Sequence, residues 1–275
     1  MIIDAVCNLW TPEVMATRPE RLNQGVRPFY ENYLQQGQLL DGIPLETMLG
    51  EMDQSGIDRA LLVAPALNVW RLPYEQVARV VAEHPGRFHG LAGINPDDRM
   101  EGVRRLEVAV KELGFVGAHL YPHWFSRPPN HKDYYPFYAK CVELDVPIQI
   151  QIGHSAQPEQ PTVAHPMTLD EVAIYFPELK IVGIHIGWPW VREAMAVALK
   201  HRNVYLGCDA HAPKYWEPEF VRFIRSRGKH KVLFGTDFPI IGFRRAVTEI
   251  GELDFAADVR EALFSANTQR VYGLE

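Results

Sequence analysis

The chain has 275 residues, 47% hydrophobic and 23% charged, with a formal net charge of -6. That composition supplies a sizeable core and excludes disordered and fibrous classes. The acidic balance argues against a nucleic-acid partner, which needs clustered Lys and Arg on one face. No run approaches the ~18 apolar residues of a membrane span, and Asp4 breaks the opening apolar run too early for a signal peptide. Three cysteines, Cys7, Cys141 and Cys208, without a C-x-x-C pair indicate neither a disulfide framework nor a zinc knuckle. A reduced, cytoplasmic protein with no membrane association is expected.

Short β-branched runs recur along the chain and predict strands at 1–7, 59–65, 87–94, 115–121, 147–152, 180–185, 203–208 and 231–236. Helical spacing fills the gaps at 45–56, 73–84, 100–114, 134–145, 168–176, 191–201 and 217–228, and continues at 243–253 and 258–273. Strict alternation implies parallel strands with right-handed crossovers. Eight such units fit a single closed (β/α)8 barrel over residues 1–275, with extra helices at the C-terminal end. An open doubly wound sheet is the alternative; it would show a glycine-rich phosphate loop after the first strand, and none is present. The longest irregular pieces, 8–43, 122–133 and 153–166, each follow the C-terminal end of a strand. Barrel enzymes place their chemistry on that face, so a covered pocket is expected there.

Polar residues at strand ends are the first candidates for that chemistry, because strand interiors favour Val, Ile and Leu. Four stand out: Asn8, Gln151, His185 and Asp237. In a closed barrel they converge on one axis. His185 and Asp237 make an acid/base set, since an imidazole titrates near neutrality and a desolvated carboxyl can move or hold a proton. The alternative is that both are tied into neighbouring hydrogen bonds. His119 and His123 bracket the end of the fourth strand, His119 reading as a core residue. His123, with Arg127, is a candidate for meeting a substrate carboxylate. Arg244 is another, although a helix-start arginine also serves as a solvated charge. Trp10, Trp124, Trp188, Trp190, Tyr215 and Trp216 cluster at the same loops. Each alone reads as packing. Together, with Trp188 and Tyr215 as contacts, they point to a small aromatic or unsaturated carboxylic acid.

The segments "IVGIHIGWPW", "NVYLGC" and "VLFGTDFP", with the opening "MIIDA" and a fifth strand after "ELDVPI", resemble the amidohydrolase-related family of metal-dependent hydrolases and nonoxidative decarboxylases, in its aminocarboxymuconate semialdehyde decarboxylase-like branch. The resemblance runs in order over nearly the whole chain. It implies a distorted (β/α)8 barrel with a divalent metal, usually zinc, at the mouth. The family's His-x-His pair on the first strand falls here on Val6 and Asn8, and its fifth-strand histidine on Gln151; only His185 and Asp237 match. Valine cannot coordinate, and amide oxygens are weak zinc ligands. The metal site therefore reads as degenerate, with Cys7, His154, Asp209 and His211 as substitute ligands and iron or manganese as alternatives to zinc. The implied activity is hydrolysis or decarboxylation of a small acid, with Asp237 moving the proton, His185 assisting, and Asn8 and Gln151 holding a substrate oxygen. A catalytically silent barrel that binds a small molecule or supports an active homologous subunit is the competing expectation. A homodimer is expected by resemblance alone.

Overall fold

Eight apolar runs form eight parallel strands that pair in sequence order. They are β1 (Ile3–Asn8), β2 (Arg59–Ala64), β3 (Phe88–Gly93), β4 (Gly117–Leu120), β5 (Ile148–Gln151), β6 (Ile181–Ile184), β7 (Val204–Gly207) and β8 (Val232–Leu233). The computed structural model describes residues 1–33, 36–155 and 160–275. The ring closes through the chain beyond β8: Ala5 N donates to Phe234 O, Asp237 N to Val6 O and Asn8 N to Phe238 O, at 2.8–2.9 Å. The fold is a (β/α)8 barrel, as the alternation of elements predicts.

Strand 8 is the one that departs most from expectation, two residues rather than six. Beyond Leu233 the chain leaves the ladder with β7, and Phe234 N donates to Leu263 O in the C-terminal helical segment instead.

Each crossover is helical where the 3.6-residue spacing is apolar on one side. After the short α1 (Pro12–Ala16) and α2 (Glu20–Pro28) come α3 (Leu45–Ser55), α4 (Tyr74–Glu83), α5 (Arg99–Lys111) and α6 (Tyr135–Glu143). Then follow α7 (Thr168–Tyr175), α8 (Val191–Lys200), α9 (Pro218–Arg225), α10 (Phe243–Gly251), α11 (Ala257–Glu261) and α12 (Asn267–Tyr272). In α9, Pro218 opens the helix and Phe220, Phe223 and Ile224 form the buried side. α3 stops at Gly56, whose left-handed φ of 71° a glycine adopts without a Cβ clash. Among the described residues no helix is long and apolar enough to cross a membrane.

Two apolar layers result. An inner cluster joins Ile3, Ala5 and Val6 to Leu61, Val63, Leu91, Val182, Ile184 and Leu233. An outer one packs the strands on the helices and includes Cys7. Ala5 and Val6 are adjacent yet share the inner layer, which regular pleating forbids. A bulge between Asp4 and Cys7 explains it. The extra residue keeps Val6 and Asn8 on the inner side and sends Cys7 outward. The region after β1, expected to be irregular, instead folds α1 and α2 over the mouth. Thr11 Oγ1 caps α1, and Met15, Val26, Tyr30, Leu39 and Leu40 pack into a third cluster there.

Candidate active site

Asn8 ends β1, Gln151 ends β5, His185 follows β6 directly and Asp237 lies four residues beyond β8. All four line one cavity of about 180 Å³ at the C-terminal mouth. Asn8 Nδ2 donates to Asp237 Oδ1 at 2.8 Å and to Phe238 O at 3.0 Å. Gln151 Nε2 lies 3.1 Å from His185 Nδ1. His185 Nε2 in turn faces Asp209 Oδ2 at 3.3 Å and Asp237 Oδ2 at 3.7 Å. Neither Nε2 nor Asp209 Oδ2 has an aligned hydrogen-bond partner among the described residues, although both are buried. Such groups are costly to leave unpaired.

The backbone carrying these groups is strained. His185, Ile186, Ala210 and Asp237 all have left-handed φ, at 68°, 58°, 63° and 57°. That conformation costs a non-glycine residue on the order of 1–3 kcal/mol and persists only where its surroundings dictate it. Here they do: His185 N donates to Asp209 Oδ1 at 3.1 Å, Ile186 N to Gly207 O at 3.0 Å, and Asp237 N to Val6 O at 2.8 Å. Gly207 leaves the space the Asp209 carboxyl occupies, since a Cβ there would lie 2.6 Å from its Oδ1. Beneath the site, Asp4 serves the bulge. Its Oδ1 accepts from Val6 N at 3.0 Å and Thr236 N at 3.1 Å, and its Oδ2 accepts from Thr236 Oγ1 at 2.5 Å. Thr236 Oγ1 also accepts from Phe238 N, so one buried carboxyl ties β1 to the turn that presents Asp237.

Burial sets the protonation states. It pushes the Asp237 carboxyl well up, with Asp209 adding to the rise and the Asn8 amide opposing it. Asp209 and Asp4 are both raised to about 7, mainly by desolvation. His185 is driven well below its ordinary value by burial and then by His211 and the other nearby histidines. Both shifts favour the uncharged forms, a neutral imidazole beside a protonated Asp237. With the Gln151 amide donating to Nδ1, the imidazole carries its proton on Nε2. With Asn8 donating to Oδ1, the Asp237 proton sits on Oδ2.

The other sequence candidates lie elsewhere. His123 is buried with Nε2 3.0 Å from Gly153 O. Arg127 pairs with Asp97 at 2.8 Å and Asp133 at 3.4 Å. Trp188 is partly exposed at the rim, its ring 5.5 Å from His154 and 5.8 Å from His211. Tyr215 is 72% exposed under Lys214. None of the four lines the cavity. Arg244 bonds Gln54 on the outer surface, and Trp216 is spent on the His211 carbonyl. Of the substitute ligands, Cys7 is in the outer core, while His154 and His211 line the cavity. Sequence reasoning missed Arg18, Tyr30, Trp70 and Tyr121, which all line it. Arg18 shares its segment with Arg21 and Arg27, so no local pattern singled it out.

The amidohydrolase family model matches residues 3–274. The chain belongs to the amidohydrolase-2 family. Among relatives of the family, 2-keto-4-carboxy-3-hexenedioate hydratase of Sphingobium sp. is 29% identical over 71% of this chain and 69% of its own length. Gamma-resorcylate decarboxylase of Polaromonas sp. is 24% identical over 86% of each chain. A TIM-barrel crystal structure from Bordetella bronchiseptica superposes with a TM-score of 0.81 at 24% identity, covering 99% of this chain and 98% of the other. This amidohydrolase-2 protein is thus an amidohydrolase-like enzyme, with decarboxylases and a hydratase among its relatives.

Proposed function

We propose that the protein is a metal-independent decarboxylase of a small planar aromatic or unsaturated acid, with Asp237 as proton donor. The supporting observation is the Asp237 carboxyl: buried on the cavity floor, its Oδ1 engaged by Asn8 at 2.8 Å and its Oδ2 left to carry a proton. Decarboxylation needs such a group. A proton adds to the carbon bearing the carboxylate, the electrons of the breaking C–C bond return to the π system, and carbon dioxide leaves. The product keeps the proton. Asp237, now a carboxylate, is stabilised by the Nε2–H of His185 facing Oδ2 and is reprotonated from solvent through the mouth.

The family resemblance implies a divalent metal, and the donor set argues against it. Val6 packs in the inner apolar layer. Asn8 and Gln151 turn their NH2 groups, not their oxygens, toward Asp237 and His185. Amide donors thus stand where a cation's charge would, and among the described residues no group of three His, Cys, Asp or Glu side chains is arranged to hold a metal ion. This set does not fit a zinc-type site, so the side chains carry the chemistry alone.

A panel of aromatic and unsaturated acids, assayed for carbon dioxide release, tests the reading. Asp237→Asn should lower turnover by about 10³-fold while binding changes little. Full activity in that variant overturns the assignment, and binding without turnover across the panel identifies a silent barrel instead.

A further inference from the structure

At the N-terminal ends of β7 and β8, on the face of the barrel opposite the mouth, a separate cavity of about 680 Å³ opens to solvent. Lys200 and Arg202 reach it from the end of α8 and the turn after it, Tyr205 from β7, His230 and Lys231 from the turn before β8, and Arg270 from α12. No Asp or Glu lines it, in a chain of net charge -6. Neighbouring basic side chains do find acids: Arg192 pairs with Glu219, Lys229 with Asp258 and Lys200 with Asp170. Arg202, Lys231 and Arg270 have no carboxylate partner among the described residues. Lys231 gives its three protons to the carbonyls of His201, Arg202 and Val204, at 2.8, 3.0 and 3.1 Å. Arg270 spends Nη2 on His230 O and Asn267 Oδ1, both uncharged. The Arg202 guanidinium makes no hydrogen bond among the described residues. Burial, then Arg270 and then Arg202, pushes the Lys231 ammonium down to about 8, so both guanidinia are near enough to act on it. Folding thus gathers like charges in one concave place and leaves the guanidinium donors of Arg202 unused.

We propose that this cavity binds a phosphate dianion, free or as a phosphomonoester, through the guanidinia of Arg202 and Arg270, with Lys231 contributing charge rather than hydrogen bonds. A singly charged carboxylate would leave most of the positive charge uncompensated. A phosphate carries two charges at neutral pH and enough acceptor oxygens to meet both guanidinium forks. His230, exposed at the rim, adds a ring N–H. The opening to solvent leaves room for the organic part of an ester. The site stands apart from the Asp237 cavity, with which it shares no lining residue. Its consequence is therefore linkage: an anion held only by the folded chain stabilises the barrel by mass action.

Calorimetric titration at constant ionic strength with inorganic phosphate, glycerol 3-phosphate and acetate tests it. The wild type should bind a phosphate compound at one site, at least about 10-fold tighter than acetate. Tighter binding of inorganic phosphate identifies the free anion as the ligand, and tighter binding of glycerol 3-phosphate identifies an ester. Arg202→Gln should weaken that binding by roughly 10-fold and the double variant Arg202→Gln, Arg270→Gln by roughly 100-fold, with Arg202→Lys recovering part of the first loss. Thermal melts without phosphate confirm that the variants fold, and if the double variant does not, Arg202→Gln alone decides. Arg18, in the mouth cavity, is another arginine that a phosphate could meet, so Arg18→Met should keep the wild-type affinity. The proposal is overturned by a wild type that binds neither phosphate compound or binds acetate equally well, by Arg202→Gln binding phosphate as the wild type does, or by loss of the binding in Arg18→Met.

Discussion

Two histidine–glutamine pairs occupy the barrel interior, and they do different work. Gln149 and Gln151 share one face of β5, two residues apart. Gln149 Oε1 meets His119 Nδ1 at 2.9 Å, and its Nε2 is taken by Ala5 O and the Tyr272 hydroxyl. His119 is fully buried and packs beside the Tyr121 ring, with no carboxyl among the described residues paired to it. Gln151 makes the reverse contact one layer higher, its Nε2 donating to His185 Nδ1, and there the far nitrogen looks at Asp209, Asp237 and open cavity. The residue types are alike. What surrounds the second ring nitrogen makes one pair a brace and puts the other at the proposed reactive centre.

The most severe test replaces each histidine in turn. His185→Asn should lower turnover by about 10³-fold, near 4 kcal/mol of transition-state stabilisation, with little loss of stability. His119→Asn should leave turnover close to the wild type, its amide donor still able to reach Gln149. Equal kinetic losses in the two variants would break the distinction.

Acid stability sharpens the same comparison from the side of the brace. Burial pulls His119 down to about 4 from an ordinary 6.5. Between those values the unfolded chain binds a proton that the folded one refuses, so stability is complete above pH 6.5 and is lost as pH falls toward 4. The loss from this group is on the order of 3 kcal/mol. Chemical denaturation from pH 7 to 4 should show that slope, and His119→Asn should flatten it. An unchanged slope would mean that His119 titrates freely.

A smaller effect separates the glutamines. Gln149→Leu strands three buried partners, Ala5 O, the Tyr272 hydroxyl and His119 Nδ1, whereas Gln151→Leu strands one, beside a cavity that water can enter. The first should be the less stable by about 2 kcal/mol in denaturant titration.

How much of this was legible in the sequence follows the range of the interactions. The alternation of β-branched runs and 3.6-residue spacing is local, so the barrel and the strand ends bearing Asn8, Gln151, His185 and Asp237 could be read directly. The β1 bulge could not. It depends on Asp4 reaching Thr236 across 232 positions, and no periodicity records that. Arg127 stood out because it follows the fourth strand, yet it is neutralised by Asp97 and Asp133. Arg18 stayed hidden in the segment after β1, where α1 and α2 form over the mouth and only the folded chain stacks Trp70 on it.

The smallest expected effect concerns the cation that the family resemblance implies and the proposed function does without. If the NH2 groups of Asn8 and Gln151 stand in for its charge, dialysis against a strong chelator should leave turnover and melting temperature unchanged, and added zinc or manganese should not raise either. A bound metal would stabilise the fold by mass action and its removal would lower the melting temperature. A chelator-sensitive melt, with one equivalent of metal found in the purified protein, would mean that the two amides turn their oxygens inward. Asp237 would then be a ligand held as a carboxylate, and the proton would have to come from elsewhere. Asn8→Ala sharpens the distinction: without a metal it removes the hydrogen bond that keeps the Asp237 proton on Oδ2 and should alter the pH profile of turnover, while with one it should chiefly lower metal content.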